Sequence, residues 1–163
     1  MRFLKELRKI DIHQKQGCVG KNALNFGNNL AISGLDDNLN TKFCRESLIE
    51  YCATPSNSNI AITVAVFAWG GMRNNNAQKL FSKDWNILDS IISDLRKNSI
   101  KTKKEAFNRF YNERKQGNLK GLGISYFTKL ICFIAPSLKG YILDQWVAKS
   151  INLIFDEEIV VID

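Results

Sequence analysis

Two ionisable residues in the last third of the chain stand where chemistry is easiest to place. Lys129 lies inside Ile124-Ser125-Tyr126-Phe127-Thr128-Lys129-Leu130-Ile131-Cys132-Phe133-Ile134, a segment apolar enough to be a buried core helix. An amine there either snorkels to the helix rim or bears a desolvation cost. Burial lowers the pKa of a lysine, and the neutral amine is a nucleophile that forms Schiff bases. Asp144 follows in Tyr141-Ile142-Leu143-Asp144-Gln145-Trp146-Val147-Ala148, which reads as a loop entering a helix. Aspartate is a preferred N-cap and needs no further purpose at that place. It is also a carboxylate able to stabilise a developing positive charge or to assist proton transfer.

The elements that must position this pair are readable upstream. Ala106 to Arg114 reads as a helix that Gly117 and Asn118 can end with a positive φ. Leu119-Lys120-Gly121-Leu122-Gly123 is then a tight turn, and a new helix starts at Ile124. Its glycines let one backbone approach another, and the first turn of the new helix offers unpaired N–H groups that suit a phosphate. Such contacts fix register on a duplex without reading sequence. The same pattern also describes an ordinary helical corner whose glycines serve packing.

Taken together these residues resemble the helix-hairpin-helix DNA glycosylases, in the branch that uses a lysine to remove 8-oxoguanine. In that family a Gly-x-Gly hairpin is followed by a Gly/Pro-rich loop and an essential aspartate. Gly121-Leu122-Gly123, Pro136 with Gly140, and Asp144 match in order. The resemblance implies an all-α helical bundle in one domain over residues 1–163, with the hairpin over about 106–135 and the catalytic loop and helix over about 136–155. It implies Lys129 and Asp144 as the catalytic pair, with Lys129 attacking the sugar C1′ of a flipped nucleotide. Base excision and β-lyase activity on duplex DNA containing a damaged base follow from that assignment. One departure stands out. The common eukaryotic pattern places the lysine two residues after the second glycine, where this chain has Ser125. Lys129 comes one helical turn later, on the same face. The archaeal members, whose lysine sits deeper in an apolar helix, are closer. If the shift is not tolerated, Lys129 is structural and the protein is monofunctional or inactive.

Ile60 to Trp69 is apolar and β-branched, and propensity alone makes it a strand, whereas the resemblance makes it a helix. It runs into Gly70-Gly71-Met72-Arg73-Asn74-Asn75-Asn76, similar to the asparagine run with which eukaryotic 8-oxoguanine glycosylases enter the duplex. Arg73, Asn74, Asn75 and Asn76 offer forked donors for base edges, though a polar turn capped by asparagines is the ordinary alternative. With Leu119, Lys120, Gly121, Gly123 and Ser125 they form the expected DNA-binding set. Trp69, Gln145 and Trp146 are the candidates for lining a base pocket, against the bland alternative that the tryptophans belong to the core.

Composition fits this reading without deciding it. The chain has 163 residues, with 23 basic against 16 acidic and a net charge of +7, which suits a phosphate-backbone binder. Arg96, Lys97, Lys101, Lys103, Lys104, Arg109, Arg114, Lys115 and Lys120 lead into the hairpin. A solvated helix face has the same look. Cys18, Cys44, Cys52 and Cys132 show no metal-ligand spacing and are expected as free thiols in a reducing cytoplasm. His13 is the only histidine, which argues against a histidine metal site. No cofactor, metal or membrane is expected, and the protein is expected to act as a cytoplasmic, nucleoid-associated monomer.

Further helices are expected at Met1 to Ile10, near Ala23 to Leu30, at Lys42 to Cys52 with Thr41 as cap, at Asn76 to Phe81, at Asp84 to Lys97, at Lys103 to Arg114 and at Gln145 to Phe155. The closing EIVVID is expected to pack on the core. Three function classes remain open: a glycosylase with lyase activity, a non-catalytic helix-hairpin-helix DNA-binding module, and a protein-interaction domain.

Overall fold

The computed structural model describes residues 17–161, and every regular element among them is helical. The α-helices are α1 (Ala23–Asn28), α2 (Arg45–Ala53), α3 (Asn59–Trp69), α4 (Asn74–Lys83), α5 (Trp85–Arg96), α6 (Lys103–Lys115), α7 (Ile124–Ile134) and α8 (Gln145–Phe155), with short 3-10 turns at Asp37–Leu39 and Pro136–Leu138. The fold is the all-α arrangement that the resemblance implies. The helix expected at Met1 to Ile10 lies outside the described residues.

Two helices are central. α3 packs against α1, α2, α5 and α7, and α7 packs against α2, α3, α5 and α6. Every residue of α3 from Ala61 to Ala68 is buried. A helix enclosed on all sides is apolar all round, so its sequence loses the polar stripe that marks a surface helix. That is why Ile60 to Trp69 reads like a strand. Ser58 starts α3, its hydroxyl accepting from the Ala61 amide at 3.2 Å. The one buried hydroxyl, Thr63, donates back to the Asn59 carbonyl at 2.7 Å.

Three expectations need correction. α2 starts at Arg45 with Cys44 as its cap, not at Thr41, because Phe43 turns into the core and breaks the helical register before it. The closing segment does not pack on the core: Ile159 and Val161 are 51% and 69% exposed. Asn152 holds that segment instead, with its side chain bonded to the backbone of Ile159 and Val160. Finally, Cys18 and Cys44 are not free thiols but a disulfide, with Cα atoms 4.0 Å apart. A bond from the Ala23 amide to the Thr41 carbonyl brings the two segments alongside, and one from the Lys21 amide to the Ala68 carbonyl ties the first of them to α3. Cys52 and Cys132 are free and buried.

The turn between α6 and α7 is built on unusual backbone angles. Gly117, Leu119 and Gly121 have φ of 85°, 54° and 93°. Leu119 and Leu122 face inward and are 1% exposed, which anchors the turn in the core. A Cβ on Gly121 would lie 3.0 Å from the Asn76 carbonyl and 3.2 Å from its Cα. Gly123 has an ordinary φ of −67° and open space where a Cβ would be. Gly121→Ala should therefore lose about 1–2 kcal/mol of stability from the left-handed angle alone, with a further loss as Asn76 is displaced. Gly123→Ala should unfold at the same urea concentration as the wild type. Equal stability of the two variants would contradict this account of the turn.

Candidate active site

The site is built on α7. Eight of its eleven residues are buried, and Lys129 is one of them. The lysine side chain leans toward the helix N-terminus, as helical side chains do. Its stem crosses Gly70, at the end of α3, where a Cβ would stand 3.0 Å from Lys129 Cδ. Its amine returns to the level of Ser125, one turn back. Nζ lies 2.8 Å from Ser125 Oγ, 3.3 Å from the Ser125 carbonyl and 3.4 Å from Asp144 Oδ2. The amine therefore sits beside the position where the eukaryotic pattern places its lysine, although its Cα is one turn away.

Asp144 reaches the amine from the far side of a structured loop. Ala135 ends α7, Pro136–Leu138 turns, and Lys139 adopts a left-handed φ of 51°. Gly140 packs on Ile131, where a Cβ would come within 3.0 Å of Cγ2. The Leu143 amide then donates to Thr128 Oγ1 at 3.1 Å, which ties the loop to the residue beside Lys129. The two readings of Asp144 are both realised, on different oxygens. Oδ1 accepts from the Trp146 and Val147 amides at 3.1 Å each and caps α8. Oδ2 faces Lys129.

Burial pushes the Lys129 pKa down, and the charge and hydrogen bond of Asp144 work against that shift without cancelling it. Burial also raises the pKa of the neighbouring Tyr126 phenol, with the charge of Arg73 opposing it. Lys129 lies 5.7 Å from the Tyr126 ring centroid.

The other expected residues divide by position. The Leu119 side chain is in the core, so only its backbone can meet a phosphate. Lys120 has an exposed side chain, but its amide already donates to Asp84 Oδ2 at 2.8 Å. Among the described residues, the amides of Gly123, Ile124 and Ser125 have no protein acceptor and remain to bind an anion. The Ser125 hydroxyl is engaged by Lys129. Arg73 precedes α4 and is exposed, and Asn74, Asn75 and Asn76 form the first turn of that helix. Asn76 touches Gly121, so the asparagine run and the α6–α7 turn form one continuous surface. Asn74 is partly occupied, because its Oδ1 accepts from Lys21 Nζ at 3.3 Å. Trp69 is half-buried, edge-on to Phe133 with ring centroids 4.7 Å apart. Gln145 is exposed and Trp146 is 66% exposed, so the core alternative fails for Trp146. Two members of the basic cluster have structural partners. Arg96 donates to the carbonyls of Thr54, Pro55 and Asn57 and to Asn59 Oδ1. Arg109 pairs with Glu113 at 3.0 Å. Sequence reading gave Asp84 and Gly70 no role at the site: Asp84 sits in no motif, Gly70 only opens the asparagine run, and tertiary contact alone shows what each does.

The depressed Lys129 pKa has a defined sign in stability. The unfolded chain binds this proton more tightly, so folding is penalised below the folded pKa and the penalty fades as pH climbs to the free value of 10.5. Removing the amine alone leaves Asp144, whose side chain is 24% exposed and whose Oδ1 keeps two amide donors, so its charge is not stranded. Lys129→Met should therefore be at least as stable as the wild type at neutral pH, and its advantage should shrink toward pH 10.5. Denaturant unfolding across that range measures it. A difference that did not change with pH would show an unperturbed amine.

Residues 22–154, about four-fifths of the chain, match the family model described as "Putative 8-oxoguanine DNA glycosylase OGG-like protein". No curated protein and no solved structure matches the chain at a significant level. Among the described residues no helix is long and apolar enough to cross a membrane. With a match of that extent, the chain belongs to the OGG-like family of DNA glycosylases.

Proposed function

We propose that this protein is a bifunctional glycosylase that removes an oxidised purine, 8-oxoguanine in particular, from duplex DNA and then cleaves the strand through a lysine Schiff base. The observation that carries this reading is the amine of Lys129, buried beside Ser125 and paired with Asp144. Burial makes loss of the amine proton easier, and Asp144 is the adjacent acceptor. The neutral amine attacks C1′ as the N-glycosidic bond breaks. The base leaves with the bonding electron pair and picks up a proton. The Asp144 carboxylate stabilises positive charge on the sugar as it develops. Ring opening gives an imine between Lys129 Nζ and C1′. Loss of a C2′ proton then expels the 3′ phosphate.

The surrounding residues take roles that fit this chemistry. The free amides of Gly123, Ile124 and Ser125 bind a backbone phosphate, with Leu119, Lys120 and Gly121 shaping the turn that presents them. Because the target base must leave the stack, Arg73 and the asparagines Asn74 to Asn76 fill the gap. Trp69, Gln145 and Trp146 flank the space that the base enters. One domain holding the hairpin and the catalytic loop, acting as a monomer on damaged duplex DNA, completes the proposal.

Borohydride trapping on a duplex with 8-oxoguanine opposite cytosine tests it. The wild type should form a covalent adduct. Lys129→Gln should lose both adduct and excision while holding undamaged duplex as tightly as before. Asp144→Asn keeps a capping side chain, since asparagine caps helices as well as aspartate does. It should therefore fold normally yet react about a hundredfold or more slowly. Undiminished trapping by Lys129→Gln would remove the lysine from the mechanism. Salt-dependent duplex binding with no trapping by the wild type would leave a non-catalytic DNA-binding module.

A further inference from the structure

The α7 face that carries Lys129 continues through Cys132 and Phe133, three and four residues on. Over it stands Arg45, the first residue of α2. Its guanidinium carbon lies 5.7 Å from the Phe133 ring centroid, and one of its terminal nitrogens donates to Cys132 Sγ at 3.5 Å. Phe133 in turn meets Trp69. Arg45 is exposed and makes no ion pair with a carboxylate among the described residues. Its guanidinium thus rests beside an aromatic ring, and among the described residues its remaining N–H donors have no protein acceptor. The backbone beneath it is held as well, because Cys44, its neighbour and the cap of α2, is bonded to Cys18.

A guanidinium placed beside an aromatic ring and left without a carboxylate among the described residues suits recognition, since it presents rigid forked donors. Lys129 brings its amine back to the level of Ser125, whereas Cys132 lies roughly 10 Å further along the helix axis, at about 1.5 Å per residue. The guanidinium, hydrogen-bonded to Cys132, therefore stands on the same helix face as the amine and further along it.

We propose that Arg45, on its platform of Phe133, Cys132 and Trp69, is the subsite that reads the extruded base, and that it selects bases presenting carbonyl oxygens. This rests on the glycosylase reading above and names its substrate class. A keto group accepts from the guanidinium, and an exocyclic amino group at the same place meets a donor with a donor. Oxopurines such as 8-oxoguanine, with carbonyls on either side of N7, are selected over adenine derivatives that carry an amino group at C6.

The test compares excision of 8-oxoguanine and 8-oxoadenine with borohydride trapping on a preformed abasic duplex, which has no base to read. Arg45→Met should lower the ratio of 8-oxoguanine excision to abasic trapping about ten- to a hundredfold, the range for losing a hydrogen bond to a charged donor. It should also narrow the preference for 8-oxoguanine over 8-oxoadenine. Arg45→Lys, which keeps the charge and loses the fork, should fall between Met and the wild type. Thermal unfolding of each variant reports whether the fold is kept. An unchanged ratio in Arg45→Met, or excision and abasic trapping falling together, overturns the assignment. Absence of abasic trapping in the wild type overturns the glycosylase-lyase reading itself, a result distinct from either.

Discussion

A charged amine among apolar neighbours is the constraint around which this molecule is arranged. A lysine at the middle of a buried helix has few acceptors, and Lys129 obtains three: a hydroxyl and a carbonyl one turn back on its own helix, and a carboxylate delivered by a loop. Each depends on its placement. The hydroxyl is in reach only because Ser125 lies one turn before Lys129 on α7, and the Ser125 carbonyl is shared with the Thr128 hydroxyl, which donates to it at 3.2 Å. The carboxylate is in place only because the loop is pinned by Thr128 and by the close packing of Gly140 on Ile131. Without any one of these, the desolvation of the amine would be less compensated, and the amine would give up its proton more readily or turn toward solvent. The packing of α7 and the composition of the site are the same problem solved once.

The surface around that amine serves a second constraint. On the proposed reading, a nucleic acid would be held by groups that carry no burial cost: backbone amides at one helix start together with polar side chains at the start of another. The contact between Gly121 and Asn76 joins them. The left-handed glycine thus does more than close a turn: it brings two separate helix N-termini to one continuous edge. Asp84 limits what that edge can offer, since it already holds one amide of the turn.

Much of this was legible in the sequence, for identifiable reasons. α5 announces itself by an apolar stripe, α8 by Asp144 as its cap, and the α6–α7 turn by its glycines, because each of these signals is local. The pairing of Lys129 with Asp144 came through the family resemblance, and despite a lysine one turn out of the family's place. α3 was ambiguous because total burial erases the periodicity that separates helix from strand. The start of α2 was misplaced because the inward turn of Phe43 and the Cys18–Cys44 bond are settled by partners far along the chain. Arg45 and Asp84 gave no signal at all, since a lone surface charge looks alike whether it binds water, a backbone amide or a base. Trp146 carried opposite expectations, and only the sparse docking of α8 decides for exposure.

Gly70 has a consequence of a different kind. The volume that its missing side chain leaves is filled by the stem of Lys129. Its own φ of −74° is one that any residue adopts, and an added methyl group would stand 3.0 Å from Lys129 Cδ and 3.3 Å from the Val66 carbonyl oxygen. The softest neighbour is the lysine chain, which has four rotatable carbons and would be the first to give way. A larger residue at that place would leave the helices standing and push the amine off Asp144. Drift at this position would therefore fall first on the pairing of the Lys129 amine with Asp144, and only afterwards on the packing of the helices.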